Sequence, residues 1–235
     1  MNKEIARIRK NRNLDEIMYD ESVKIDPDVL LDKIYALNIN MSYLYSINDS
    51  KEADVNMYID KITDNIYLIL EIFNDMNIYP DYFYDIIVDI NKEYRDLVPD
   101  GKIQGNYEVY NRVDFSAKIS QLIKEGLNSK KYQINQNNND ISKYYLDMVN
   151  FFQENHMPYD NTSLTACQNV FNEIYYNINN IINNTLNNSD FIFVDIECLA
   201  RLLFEYISFF AAIGVNPKKH LEECIDYHTE DRKMK

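Results

Sequence analysis

The sequence predicts an all-α fold, and three of its properties carry that prediction. Apolar residues recur at steps of three and four in most segments, which is the spacing of one face of an α-helix. The 235 residues include only 4 glycines and 5 prolines, fewer than sheets joined by tight turns use. Hydrophobic residues make up 46% of the chain, enough to bury a core. Helices joined by short connections are therefore expected throughout.

The first half of the chain contains four helical patterns. They cover residues 3–21, 29–47, 55–76 and 80–97. Pro80 suits the first turn of the last helix, where a backbone N–H is not needed. The third helix has the clearest apolar face, formed by Ile59, Ile62, Ile66, Ile69, Leu70 and Phe73. This face predicts that the third helix lies in the core.

The second half repeats the pattern. Its predicted helices cover residues 142–153, 165–182, 191–213 and 217–229. Asn77-Ile-Tyr-Pro80 aligns with Gly214-Val-Asn-Pro217. We call the constant difference in residue number between these two segments the repeat shift. Under the repeat shift the apolar face falls on residues that are again apolar or aromatic, namely Ile196, Leu199, Leu203, Tyr206, Ile207 and Phe210. The repeat predicts a tandem duplication, with one helical repeat over 1–126, an Asn-rich linker over 127–140 and a second repeat over 141–235.

Charge limits the partners that this chain can have. The net charge is −14, from 24 basic and 38 acidic residues. An acidic chain repels the phosphates of a nucleic acid, so we do not expect one as a partner. No stretch of about 18 apolar residues is present, so we expect no membrane span and a cytoplasmic protein.

The cysteines and histidines do not form a familiar metal motif. There are 3 cysteines, without a CxxC pair, and 3 histidines, without an HxxxH pair. An odd number of cysteines without a CxxC pair predicts neither a disulfide framework nor a zinc knuckle. Free thiols in a reducing compartment are therefore expected.

Acidic residues on the third helix are the strongest candidates for chemistry. In Asp60-Lys-Ile-Thr-Asp64 two carboxylates lie one turn apart on one face and repel each other, which a bound cation compensates. Asp32, on the preceding helix, is expected to face the same point. Three converging carboxylates suit Mg²⁺, a hard ion that prefers oxygen ligands. In a chain this acidic, a solvated acidic face is the competing interpretation.

The same residues belong to a wider pattern. Asp60-Lys-Ile-Thr-Asp64-Asn-Ile-Tyr is followed by Asn77-Ile-Tyr-Pro80, Tyr84-Asp-Ile-Ile-Val-Asp-Ile-Asn91 and Pro99-Asp-Gly-Lys-Ile103. This order resembles the phage-type branch of the MazG-like, all-α nucleoside triphosphate pyrophosphohydrolases. The resemblance implies two tandem MazG-like four-helix bundles that form an internal pseudo-dimer. It also allows a homodimer of the whole chain, because members of the family act as dimers or tetramers.

The resemblance further implies roles for individual residues. Asp32, Asp60 and Asp64 are the candidate Mg²⁺ ligands and catalytic acids of the first repeat. The family's ion bridges the triphosphate, and water attacks between the α and β phosphates. Contacts to the nucleotide are expected from Lys33, Asn91, Arg95 and Lys102.

Departures from the family pattern leave the activity open. Asp32 is the single acid left of the EExxE pattern on the second helix, and Tyr94 takes the position of a lysine. In the second repeat the acids reduce to Glu173 and Glu197, and Arg201 replaces one carboxylate. A guanidinium at that position repels Mg²⁺, so the second site is expected to have lost its metal.

Two functions of different classes follow from these observations. The first is an Mg²⁺-dependent nucleotide pyrophosphohydrolase-like protein with its site in the first repeat. The alternative is a catalytically inactive descendant that binds a nucleotide or a protein partner through its acidic surface. A third hypothesis is an acidic mimic of nucleic acid, which predicts a continuous stripe of carboxylates and no cavity.

Overall fold

The described part of the chain is helical. In the computed structural model the described residues are 1–14, 27–48, 54–96, 119, 121–126, 139–154, 179–180, 182–183 and 192–233. Their helices are α1 (Asn2–Asn11), α2 (Pro27–Asn48), α3 (Val55–Asp75), α4 (Asp81–Asp96), α5 (Ile141–Glu154), α6 (Ile192–Ile213) and α7 (Lys218–Lys233). No strand occurs in these ranges, so the predicted all-α class is confirmed. None of the described helices is long and apolar enough to cross a membrane.

Helix bounds follow local signals that the sequence contains. Asp54 caps α3, because its side chain accepts a hydrogen bond from the backbone N–H of Asn56 at 3.1 Å. Pro80 directly precedes α4, and Pro217 directly precedes α7. Each of the helices α2 to α7 agrees with its predicted range to within a few residues. Residues 121–126 are also helical, and no helix was predicted there.

The first predicted helix is too long. We expected it to run from residue 3 to residue 21, but α1 ends at Asn11. Asn13 adopts a φ of 54°, in the left-handed region that asparagine tolerates at a helix end. The N–H of Leu14 then bonds the carbonyl of Arg9 at 2.9 Å and closes the helix. Asparagine is therefore the residue that stops α1.

Two central helices form the middle of the core. The predicted apolar faces of α3 and α6 are both buried, with no member more than 4% exposed. The two helices pack against each other. A chain of polar contacts joins α2, α3 and α6. Asn40 of α2 donates to Asn65 of α3 at 2.9 Å, and Asn65 donates to the hydroxyl of Tyr206 of α6 at 2.9 Å. These bonds satisfy polar groups that would otherwise be costly to bury.

The last helix of each half covers the central helix of the other half. α7 packs on α3, and α4 packs on α6. α1 and α2 also cover α3, while α5 covers α6. Buried side chains from residues before and after the predicted linker consequently share one hydrophobic core.

The turns after the two central helices have the same backbone pattern. After α3, the N–H of Ile78 bonds the carbonyl of Phe73 at 3.0 Å, and Asn77 has a φ of 50°. After α6, the N–H of Val215 bonds the carbonyl of Phe210 at 3.1 Å, and Gly214 has a φ of 70°. The repeat shift carries each residue of the first turn onto its counterpart in the second.

Some predictions fall on residues that the structure does not describe. These are most of the predicted helix over 165–182, of which residues 179, 180 and 182 are helical, and residues 127–138 of the predicted linker. The part of the first predicted helix beyond residue 14 also lies outside the described ranges.

Candidate functional site

The three predicted metal ligands do not come together. Asp60 and Asp64 lie one turn apart on α3, as expected, with Asp60 exposed and Asp64 half-buried. Asp32 lies exposed near the beginning of α2. Asp64 turns toward α7 instead, where its carboxylate approaches Cys224 and His228. The predicted meeting of Asp32 with Asp60 and Asp64 is therefore not present.

The register between α2 and α3 explains the separation. The two helices run antiparallel, because Asn40 meets Asn65 while Lys33 meets Glu71. Asp32 consequently lies opposite the end of α3, about two and a half turns or roughly 13 Å along the axis from Asp64. One ion with ligand bonds of about 2 Å does not bridge that gap. The stretch of α2 opposite Asp60 and Asp64, residues 38–46, contains no acid.

Lys33, for which a contact to the nucleotide was expected, pairs with two carboxylates of α3. Its ammonium group contacts Glu71 at 3.5 Å and also bonds Asp75. Arg12, which follows α1, pairs with Glu71 as well and approaches Asp75 at 3.9 Å. Glu71 is only 2% exposed, and the Tyr67 hydroxyl donates a hydrogen bond to it. This buried charge cluster ties the end of α1 to α2 and α3.

The remaining predicted residues divide into two groups. Asn91 and Arg95 lie on α4, but their side chains are outside the described structure, as are Lys102 and Glu173 entirely. Glu197 is described, is 3% exposed and pairs with Arg201 at 3.6 Å. A cation of the chain itself therefore neutralises the acid of the second repeat.

Sequence reasoning missed the donors that surround Asp64. The Cys224 thiol lies 3.6 Å from Oδ1 of Asp64, and Nε2 of His228 lies 4.0 Å from the same oxygen. Burial would raise the pKa of Asp64, but His228 and Lys61 outweigh it, so the pKa is lowered. Burial and the adjacent Asp64 raise the pKa of the Cys224 thiol. The spacing of Cys224 and His228, four residues apart on one predicted helix, was the available signal.

A cavity next to these donors is called here the α1–α7 cavity. It has a volume of about 260 Å³. Its lining comes from α1 and the segment after it, from α3 and from α7: Ile8, Asn11, Arg12, Asn13, Tyr67, Ile225, His228 and Thr229. The His228 ring stacks on Tyr67, with centroids 4.4 Å apart and planes 2° from parallel.

A larger cavity, called here the α4–α5 cavity, is formed by a different set of helices. Its volume is about 370 Å³. It is lined by aromatic, aliphatic and acidic side chains of α4, α5 and α6 together with one lysine: Tyr82, Tyr84, Asp85, Ile86, Val88, Asp89, Lys143, Tyr144, Asp147, Met148, Phe151 and Phe204. Three carboxylates and one cation therefore face a space enclosed mainly by rings and aliphatic groups.

Like charges dominate the electrostatics of the α4–α5 cavity. Burial, the nearby Asp81 and, less strongly, Asp89 and Asp147 raise the pKa of Asp85 to about 6, although Lys143 acts against them. Asp81 is 1% exposed and lies 3.1 Å from the N-terminal ammonium group. A carboxyl group that titrates near neutral pH in a cavity marks a candidate functional site.

The sequence contained part of the signal for this cavity. The acids at positions 81, 85 and 89 recur every four residues and so share one face of α4. Asp60 and Asp64 on α3 have the same four-residue spacing. Spacing alone therefore did not distinguish the acids of α4 from those of α3. Asp147 belongs to a distant segment, and only the packing of α5 beside α4 reveals its contribution.

Comparison with known proteins identifies no relative of this chain. The chain matches no protein-family model, no curated protein and no solved structure.

Proposed function

We propose that this chain is a tandem MazG-like protein whose two halves form an internal pseudo-dimer. The support is reciprocal packing, since α7 covers α3 as α4 covers α6. Reciprocity of that kind is what an isologous interface between two copies produces. The matching turns after α3 and α6, which the repeat shift superposes, support the same proposal.

Within this architecture we propose that the α4–α5 cavity binds a nucleoside triphosphate or a related nucleotide together with Mg²⁺. The observation that carries this proposal is the convergence of Asp85, Asp89 and Asp147 on one ring-lined cavity. Carboxylate oxygens are the ligands that Mg²⁺ takes, and the ion removes their mutual repulsion. A volume of about 370 Å³ lies within the usual range of small-molecule sites.

The base and the phosphates of a nucleotide each have a matching part of the cavity. Tyr82 and Phe151 are half-buried and offer ring surfaces to a base. Lys143, at the rim, supplies a positive charge for a phosphate once its bond to Asp147 at 2.8 Å is exchanged. The phosphates also need the ion, because they would otherwise be repelled by three carboxylates.

The proposal is of binding, with hydrolysis weak or lost. Among the described residues, the one set of three metal donors within 4.8 Å of one another is Asp64, Cys224 and His228. The carboxylates of the α4–α5 cavity are not gathered this closely, and catalysis requires groups held in place beforehand. The hydrolase remains the alternative, and docking of a basic protein on the acidic surface is another.

Calorimetry with Mg²⁺ and a non-hydrolysable nucleoside triphosphate tests the proposal. We expect one-to-one binding that Asp85→Asn and Asp147→Asn each weaken at least about tenfold, equivalent to about 1.4 kcal/mol. Asp60→Asn, on a helix that does not line the cavity, should leave the affinity unchanged. Binding that survives both cavity substitutions would contradict the site, and the absence of any nucleotide binding would contradict the function.

Release of pyrophosphate separates the two functions that the sequence left open. The protein is incubated with Mg²⁺ and a panel of nucleoside triphosphates, and we expect the nucleotides to remain intact. Stoichiometric binding accompanied by steady pyrophosphate release, abolished by Asp85→Asn, would assign the hydrolase instead.

A further inference from the structure

Three side chains with different donor atoms meet between α3 and α7. Cys224 and His228 are four residues apart on α7 and so lie on one face of that helix. Asp64 reaches them from α3, with Oδ1 at 3.6 Å from the Cys224 sulfur and 4.0 Å from Nε2 of His228. Each of the three offers one ligand atom, and all three atoms lie within 4.8 Å of one another.

These separations fit a tetrahedral ion. With bonds of about 2.0 Å to oxygen, 2.0 Å to nitrogen and 2.3 Å to sulfur, tetrahedral angles place the donors about 3.3–3.6 Å apart. Tetrahedral geometry places oxygen and sulfur about 3.5 Å apart, and oxygen and nitrogen about 3.3 Å apart. The observed distance from Oδ1 to the Cys224 sulfur, 3.6 Å, matches the first value, and the distance from Oδ1 to Nε2 of His228, 4.0 Å, exceeds the second by about 0.7 Å. Small rotations of the side chains are enough to close the set around one ion.

We propose that Asp64, Cys224 and His228 form a Zn²⁺ site, with its fourth position open to water or to a ligand. The mixed oxygen, sulfur and nitrogen donors select Zn²⁺ over Mg²⁺, because Mg²⁺ takes oxygen ligands and six-fold geometry. On binding, the ion replaces the thiol proton of Cys224, which passes to solvent. Three protein ligands and one open position is the arrangement of zinc sites that bind or activate a small molecule.

The surroundings hold the three ligands in place and leave them accessible. The ring of His228 is stacked on Tyr67, whose hydroxyl is in turn bonded to the buried Glu71. Lys61 occupies the other carboxylate oxygen of Asp64, Oδ2, at 3.4 Å and leaves Oδ1 facing the thiol and the imidazole. The side chains of His228 and Asp64 are 34% and 35% exposed. Of the three ligands, His228 also lines the α1–α7 cavity.

The other half of the molecule does not carry this site. The repeat shift pairs Asp64 with Arg201, and pairs Cys224 and His228 with Ile87 and Asn91. An arginine and an isoleucine cannot bind a cation, so the donor set is particular to one side and is not a consequence of the repeated helix arrangement. The inference is independent of nucleotide binding in the α4–α5 cavity.

Titration of the full chain with Co²⁺, followed by displacement with Zn²⁺, tests the site. Cobalt bound to a thiolate gives a sulfur-to-metal absorption, and we expect one ion per chain with that band. Cys224→Ser should abolish the band. His228→Ala and Asp64→Ala should weaken the affinity at least about tenfold, since changes to groups that merely orient a metal ligand already cost about 10- to 100-fold.

Matched variants control for thiol and imidazole chemistry elsewhere. Cys198→Ser removes the buried thiol of α6, and His220→Ala removes the other histidine of α7; neither should change the titration. Circular dichroism of each variant establishes that it is folded. If Co²⁺ binds without the sulfur band, or if the His228 and Asp64 variants bind as tightly as the unaltered protein, the site is refuted and Cys224 is an isolated thiol.

Discussion

The two cavities occupy corresponding places in the two halves, yet their charges are arranged in opposite ways. The repeat shift relates three lining positions of the α4–α5 cavity to lining positions of the α1–α7 cavity: Val88 to Ile225, Phe204 to Tyr67 and Met148 to Asn11. Beside the α1–α7 cavity the acid Glu71 is paired with two cations. In the α4–α5 cavity three carboxylates face one lysine.

This difference distinguishes charged residues that stabilise the fold from charged residues that are available to bind a ligand. Removing one member of a buried ion pair leaves its partner uncompensated, so the paired cluster of Glu71 is expected to be structural. Carboxylates that repel one another reduce stability, and such an arrangement is typical of a functional site. Substitutions in the two groups of charges should therefore change stability in opposite directions.

Removing the paired acid should cost the most stability. We expect Glu71→Ala to lower the free energy of unfolding by about 3 kcal/mol, because Arg12, Lys33 and the Tyr67 hydroxyl lose a buried partner. Urea denaturation measures the change. Glu223→Ala, which breaks an exposed pair with Lys219, is the matched control and should cost less than about 0.5 kcal/mol. A cost below about 1 kcal/mol for Glu71→Ala would mean that the cluster is not structural.

Removing one of the mutually repelling acids should raise the free energy of unfolding, the opposite of the effect expected for Glu71→Ala. The pKa of Asp85 is raised from 3.8 to about 6, so the fold favours the neutral carboxyl and loses stability as the group ionises. Asp85→Asn should therefore stabilise the protein above pH 6. Because Asp85 is only half-buried, solvent screening reduces the gain to about 1–2 kcal/mol.

The pH dependence distinguishes this gain from a packing effect. Denaturation at pH 7 should show the full difference between Asp85→Asn and the unaltered protein. The difference should shrink between pH 6 and pH 4 and vanish below about pH 4, as the carboxyl becomes neutral in both the folded and unfolded states. A gain that is the same at pH 4 and pH 7 would contradict the electrostatic explanation.

A substitution at Gly214 has the smallest expected effect. It tests whether the turns after α3 and α6 have the same backbone requirement. Gly214 has a φ of 70°, and a methyl group there would meet no atom within 4 Å. Gly214→Ala should therefore cost about 1 kcal/mol through backbone strain alone. Gly214→Asn should cost less, because Asn77 holds the same conformation at the corresponding turn. Equal costs for alanine and asparagine, measured by thermal denaturation, would show that the two turns are not equivalent.

Much of the fold was predictable because its signals are local. The apolar spacing of Ile59 to Phe73 placed α3 in the core, and Asp54, Pro80 and Pro217 fixed where helices begin. The exception, α1, shows the limit of such signals. A helical pattern continued past Asn13, but the backbone of that one residue ended the helix.

The candidate sites were much less predictable. Asp32 lies at a different level from Asp60 and Asp64, because α2 and α3 run antiparallel. The short connection between Asn48 and Val55 already places the end of α2 beside the beginning of α3. The cysteines and histidines were interpreted as unconnected because no familiar motif joined them, although Cys224 and His228 lie one helical turn apart.

By itself, the sequence determined most of the described helices and their buried faces, since each depends on residues close together in the chain. Only the tertiary structure decided which charges meet. α7 brings Cys224 and His228 to Asp64, and α5 brings Asp147 to the acids of α4. The physical reason is that a site between helices depends on their packing angles and register, which the whole core sets at once.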